Sequence, residues 1–146
     1  MKEKLFVILF ALIFIFYSCG KKENPNAKFI GTYTITDSWG SSNSLIGNGT
    51  LEYKLTITAD GEDGIIINNV NKTLDGIKAK VSNDSFMISK QTIKCKSGKT
   101  YDVDAKTGTL TENILKIDFG YDDISYGDAI GYIYCIMNGK KESVSK

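Results

Sequence analysis

The chain has 146 residues, 42% of them hydrophobic and 24% charged, with a formal net charge of +1 at pH 7. Histidine and arginine are both absent, which removes the commonest general base and metal ligand and the planar fork that grips phosphate or carboxylate. A near-neutral chain without arginine also lacks the electrostatic footprint of a nucleic-acid partner, so most hydrolase, zinc and nucleic-acid classes fall away before any motif is considered.

Residues 1–19 carry the most specific signal. Lys2 and Lys4 make a short positive start, Leu5 to Phe16 is an unbroken apolar run, and Tyr17-Ser18-Cys19 leads into the polar Gly20-Lys21-Lys22-Glu23-Asn24. The run is shorter than the roughly 18 residues a membrane-spanning helix needs and has the length of a secretory h-region. Ser18 followed by Cys19 is the junction that bacterial lipoprotein signal peptidase reads, although Phe16 and Tyr17 stand where a leucine and a smaller residue are usual. The expectation is that residues 1–18 are cleaved as a lipoprotein signal and that Cys19 becomes the acylated first residue of the mature protein. Diacylglycerol and an N-linked, palmitate-type chain then supply several buried acyl chains, enough for stable membrane anchoring where one is marginal.

Residues 19–28 hold the only proline, Pro25, and read as a flexible tether. They are Lys-rich rather than acidic and so do not resemble a surface-export signal, which makes the periplasmic face of the outer membrane the expected site in the cell envelope. A domain over residues 29–140 and a polar tail over 141–146 complete the organisation.

The domain reads as strands. Phe29 to Thr36 places Phe29, Tyr33 and Ile35 on one face, and Leu51, Tyr53, Leu55 and Ile57 alternate with Glu52, Lys54, Thr56 and Thr58. That alternation is the mark of a half-buried antiparallel strand. Asp60-Gly61-Glu62-Asp63-Gly64 turns the chain into Ile65 to Val70, and Asn83-Asp84 joins a strand over 77–82 to Phe86-Met87-Ile88. Further strands carry Ile93 and Cys95, then Tyr101 to Leu110, Ile114 to Phe119 and Ile130 to Met137. No amphipathic helix interrupts them. The expected fold is all-β, a small antiparallel meander forming a barrel or sandwich of eight or nine strands. Between Asp37 and Thr50 the sequence is rich in Ser, Gly and Asn and reads as a long loop carrying the only tryptophan, Trp39. In that position Trp39 either contacts a ligand over the end of a barrel or closes its core.

Several short patterns resolve into ordinary structure. Asp118-Phe119-Gly120 lacks the companion motifs of a kinase, and Asp60 to Gly64 lacks the spacing and distal glutamate of an EF-hand loop. Asp118, Asp122, Asp123 and Asp128 read as solvated loop charge rather than a metal site or a glycosidase pair. No catalytic, cofactor or metal residue is therefore assigned, and the protein is read as not an enzyme. With Cys19 acylated, Cys95 and Cys135 remain as either a disulfide, which the oxidising compartment permits, or two buried thiols.

Gly31-Thr32-Tyr33-Thr34 at the start and Gly108-Thr109-Leu110-Thr111-Glu112-Asn113-Ile114-Leu115-Lys116-Ile117 near the end resemble the opening strand and late hairpin of small lipocalin-like lipoproteins of Bacteroidetes-type bacteria. Tyr33 stands where lipocalins proper usually have tryptophan. The resemblance implies a lipocalin-like barrel that binds a small apolar ligand or glycan. Tyr33, Trp39, Tyr53, Leu55, Ile57, Phe86, Leu115, Ile117 and Phe119 are the candidate lining residues. The alternative is a structural or protein-interaction accessory lipoprotein with a filled core and an envelope protein as partner.

Overall fold

The computed structural model of the protein describes residues 24–43, 46–123 and 131–143. The signal segment, Cys19, Tyr126, Asp128 and Ile130 lie outside them. The described residues form ten strands: β1 (Gly31–Ser41), β2 (Asn48–Asp60), β3 (Gly64–Asn68), β4 (Ile77–Ser82) and β5 (Ser85–Ile88), then β6 (Gln91–Lys94), β7 (Thr100–Val103), β8 (Lys106–Thr111), β9 (Ile114–Asp123) and β10 (Tyr132–Lys141).

All pairings are antiparallel, and the last strand returns to the first: β10 pairs with β9 on one side and with β1 on the other. The sheet therefore closes into an eight-stranded barrel running β1-β2-β3-β4-β5-β8-β9-β10, which leaves no free edge on its first or last strand. β6 and β7 extend β5 and β8. Ile88 lies opposite Lys106 and Gln91 opposite Val103, so a single register runs through both pairs. The segments read separately around Phe86 and Ile93 are two halves of one strand, interrupted at Ser89-Lys90.

The partner strand, read as continuous from Tyr101 to Leu110, is broken at Asp104-Ala105 by a bulge. Val103 faces Tyr121 and Gly108 faces Ile117, so one strand spends an extra residue on the same span. The extra residue reverses the pleat: Tyr101 and Val103 are buried on one side of it, Gly108 and Leu110 on the other.

The interior follows from period-two alternation. Tyr33, Ile35, Leu55, Ile57, Ile65, Ile67, Ile77, Ile88, Leu115 and Ile117 are all buried and form one core. At roughly 1.5–3 kcal/mol per fully buried large side chain, this alternation is the dominant stabilising term. Phe86 meets Phe29 edge-to-face at 5.5 Å. Its ring also occupies the space beside Gly108, where an added Cβ would come within 2.1 Å of it.

Three boundaries differ from the sequence reading. The Ser- and Gly-rich stretch from Asp37 is strand as far as Ser41, so only residues 42–47 connect β1 to β2. Its loop-like composition has a packing reason, because the Tyr134 ring lies over outward-facing Gly40, where a Cβ would come within 2.2 Å of the hydroxyl oxygen. The second boundary is the tether, which is not free up to Lys28. Asn26 is fully buried and its amide donates to the carbonyls of Gly61 (3.0 Å) and Gly64 (2.8 Å), while Phe29 is buried at the same end. The third is the C-terminal tail. β10 runs through Lys141, and the Glu142 N–H donates to the Thr32 carbonyl, so both belong to the barrel.

Candidate functional site

The barrel has two chemically different ends. At the Phe29 end the interior is largely apolar and closed by the Asn24–Phe29 turn, whose Asn26 is buried with its Oδ1 unpartnered among the described residues, and the Tyr33 hydroxyl donates to the Phe29 carbonyl at 2.7 Å. Burial raises the Tyr33 pKa to about 12. At the Trp39 end the interior carries polar groups. Asp37 continues the inward series of Tyr33 and Ile35 on β1 and is completely buried.

The Tyr53 hydroxyl donates to Asp37 Oδ2 at 3.2 Å and also lies 3.1 Å from Met137 Sδ. Cys135 brings its thiol to the same carboxyl group from β10. Oδ1 of Asp37 has no hydrogen-bond partner among the described residues, and no described lysine pairs with it. Burial pushes the Asp37 pKa up, and the Tyr53 hydroxyl and Cys135 thiol pull part of the way back. Burial, reinforced by the Asp37 charge, also raises the Cys135 pKa, which holds the sulfur as a thiol and works against nucleophilic use.

The β3–β4 connection adds the next layer. Asn71 donates through Nδ2 to the Tyr121 hydroxyl at 2.8 Å, and its backbone faces the Tyr53 hydroxyl. Asn69, Asn71 and Lys72 all have positive φ (61°, 48° and 58°) in this connection. Asparagine adopts that region readily, whereas lysine does so at a cost of about 1 kcal/mol or more. Tyr121 stacks edge-to-face on Tyr101 at 5.5 Å and lies 5.7 Å from Phe119. Burial is the first cause of the raised Tyr53 and Tyr121 pKa values.

The wall beside this layer is held by a side chain. Above Ala79, β4 meets β6 through Gln91, whose Oε1 accepts from the Lys78 N–H at 3.0 Å while Nε2 donates to the Lys78 carbonyl at 2.8 Å. One carboxamide thus replaces a strand neighbour. Next to this seam lies a surface cleft of about 430 Å³, bounded by Lys72, Thr73, Asp75, Cys95, Lys99 and Tyr101.

Every candidate lining residue other than Trp39 is buried in the core: Tyr33, Tyr53, Leu55, Ile57, Phe86, Leu115, Ile117 and Phe119. Trp39 is half-buried and packs against it from a strand rather than a loop. Tyr53, Phe119 and Trp39 lie towards the polar end, and Tyr33, Phe86 and Leu115 towards the Phe29 end. Cys95 and Cys135 are not bonded to each other; both are buried free thiols, Cys135 beside Asp37 and Cys95 in the β6–β7 turn.

Asp37 and Asn71 escaped the sequence reading. Asp37 had a signal, since it keeps the parity of Tyr33 and Ile35, but the Ser-Gly composition after it suggested a loop. Asn71 had none. No protein-family model matches the chain, and no curated protein matches it.

Proposed function

We propose that the protein is a lipid-anchored, non-catalytic lipoprotein of the cell envelope, acylated at Cys19 and facing the periplasm, whose lipocalin-like barrel binds a small, largely apolar ligand at its Trp39 end. The observation that carries the ligand reading is Asp37: a carboxyl group completely buried in a barrel, with one oxygen unpartnered among the described residues. Burying a polar atom without its partner costs about 1–3 kcal/mol, and more for an ionisable carboxyl than for the amide oxygen of Asn26, which is also unpartnered among the described residues, so a core selected for stability alone disfavours Asp37 most. A ligand hydroxyl or protonated amine that displaces the side chains now covering Oδ1 supplies the missing hydrogen bond, and the neighbouring aromatic side chains of Trp39, Tyr53, Tyr101, Phe119 and Tyr121 suit an apolar body or the face of a sugar ring.

The competing reading is an accessory lipoprotein with a filled core that serves a protein partner. It draws on the Phe29 half of the barrel, which Tyr33, Leu55, Ile57, Phe86 and Leu115 pack with their own side chains. Native mass spectrometry of the full-length protein, extracted mildly from the producing membranes, separates the two. The ligand reading expects a retained small-molecule mass that Asp37→Leu loses; wild-type protein bare of any adduct supports the accessory reading instead.

A further inference from the structure

We infer that the Phe29 end of the barrel is its membrane-facing surface, so that the Trp39 end points away from the bilayer; this rests on acylation of Cys19. The first ground is the length of chain available. Asn24 is already at the Phe29 end, because Asn26 is locked to the Gly61–Gly64 turn and Lys28 pairs with Asp84. Cys19 and Asn24 are separated by five Cα steps, which whatever their path reach at most about 18 Å. β1 has 11 residues, equivalent to roughly 36 Å of strand and, at the usual barrel tilt, about 28 Å along the axis. The anchor segment is therefore too short to run the length of the barrel and hold the opposite end against the lipid.

The surface itself fits that placement. Its carboxylates are largely matched by lysines: Lys28 pairs with Asp84, Lys54 with Glu142 at 3.0 Å, Lys78 with Asp60 at 3.3 Å and Lys80 with Asp63 at 3.0 Å. Exposed Glu62 and Glu112 are balanced by Lys140 and Lys141, so the described residues of this end carry no net charge that a bilayer surface would repel. Its rim also exposes two large apolar side chains, Ile30 (36%) and Ile114 (40%). They flank the point where Lys141 ties the strands together, its N–H donating to the Asn113 carbonyl and its ammonium to the Lys28 carbonyl at 2.7 Å. Apolar side chains beside lysines suit the headgroup boundary, where the aliphatic part is buried and the amine stays wet.

The test uses the processed, full-length protein in vesicles of phosphatidylethanolamine and phosphatidylglycerol containing a headgroup-spin-labelled lipid. A fluorophore is placed at Glu62→Cys in the β2–β3 turn or at Ser97→Cys in the β6–β7 turn, both exposed positions at opposite ends. Quenching is expected to be several-fold stronger at position 62. Inserting a long Gly-Ser spacer between Glu23 and Asn24 is expected to weaken that difference. Intact-mass analysis of the same samples reports on Cys19. An unmodified cysteine removes the anchor and the orientation with it, whereas acylated protein quenched equally or more at position 97 overturns the orientation and leaves the anchor standing.

Discussion

Replacing Asp37 by asparagine tests the polar end most directly. The substitution preserves an oxygen that accepts the Tyr53 hydroxyl now 3.2 Å from Oδ2, and it removes the ionisable carboxyl. Burial raises the Asp37 pKa in the folded state, so the unfolded chain loses its proton at lower pH than the folded one. The folded state of the wild type accordingly keeps its full stability below the ordinary aspartate pKa and loses part of it as pH rises through the raised folded value. Asp37→Asn removes that loss. Asparagine leaves an unpartnered amide group in the place of Oδ1, so what it removes is the extra cost of burying the ionised form; at about 1–3 kcal/mol for that cost, the variant is expected to gain stability of that order at pH 7 and little at pH 3.5. For a domain of this size, the gain corresponds to a Tm increase of roughly 3–10 °C. Thermal unfolding followed by circular dichroism at both pH values, on protein stripped of bound small molecules, measures it. If Asp37→Asn destabilises the barrel equally at the two pH values, the carboxylate is satisfied when ionised and lacks no partner.

Gly108→Ala should force its new methyl group into the Phe86 ring, 2.1 Å from the nearest atom, and lower stability by about 1–3 kcal/mol in denaturant titration. Gln91→Ala removes both bonds to Lys78 and should raise hydrogen exchange at the Lys78 amide far more than at Lys54, with a global loss of about 1–2 kcal/mol. Cys95 and Cys135 should each stay unreactive to a thiol reagent in the folded protein, and both should become titratable on unfolding without a reductant; reaction only after reduction would show that they are bonded.

Much of the barrel is legible in the sequence because strands advertise themselves locally. The alternation of Leu51, Tyr53, Leu55 and Ile57 with charged and hydroxyl residues fixes which side of β2 is buried, and the Asn83-Asp84 and Glu112-Asn113 pairs mark turns that the structure makes with positive φ at Asn83, Glu112 and Asn113. Local pattern misleads where a tertiary contact sets the composition. Gly40 looked like loop because nothing nearby in sequence reveals the Tyr134 ring that needs its hydrogen. Asn26 looked like tether because its two carbonyl partners lie 35 and 38 positions away.

The sequence by itself determined the all-β class, the inward faces of most strands and the identity of the residues filling the core, because side-chain alternation and turn chemistry act over a few residues. Tertiary structure alone decided that β10 closes on β1, and that closure builds the polar site. Tyr53 and Met137 are 84 positions apart and meet only because the ring is complete, with Asp37 and Cys135 brought to the same point from the two strands that seal it. Register across a closed sheet is set by every turn and bulge around it, so no single stretch of sequence contains the information that places those groups together.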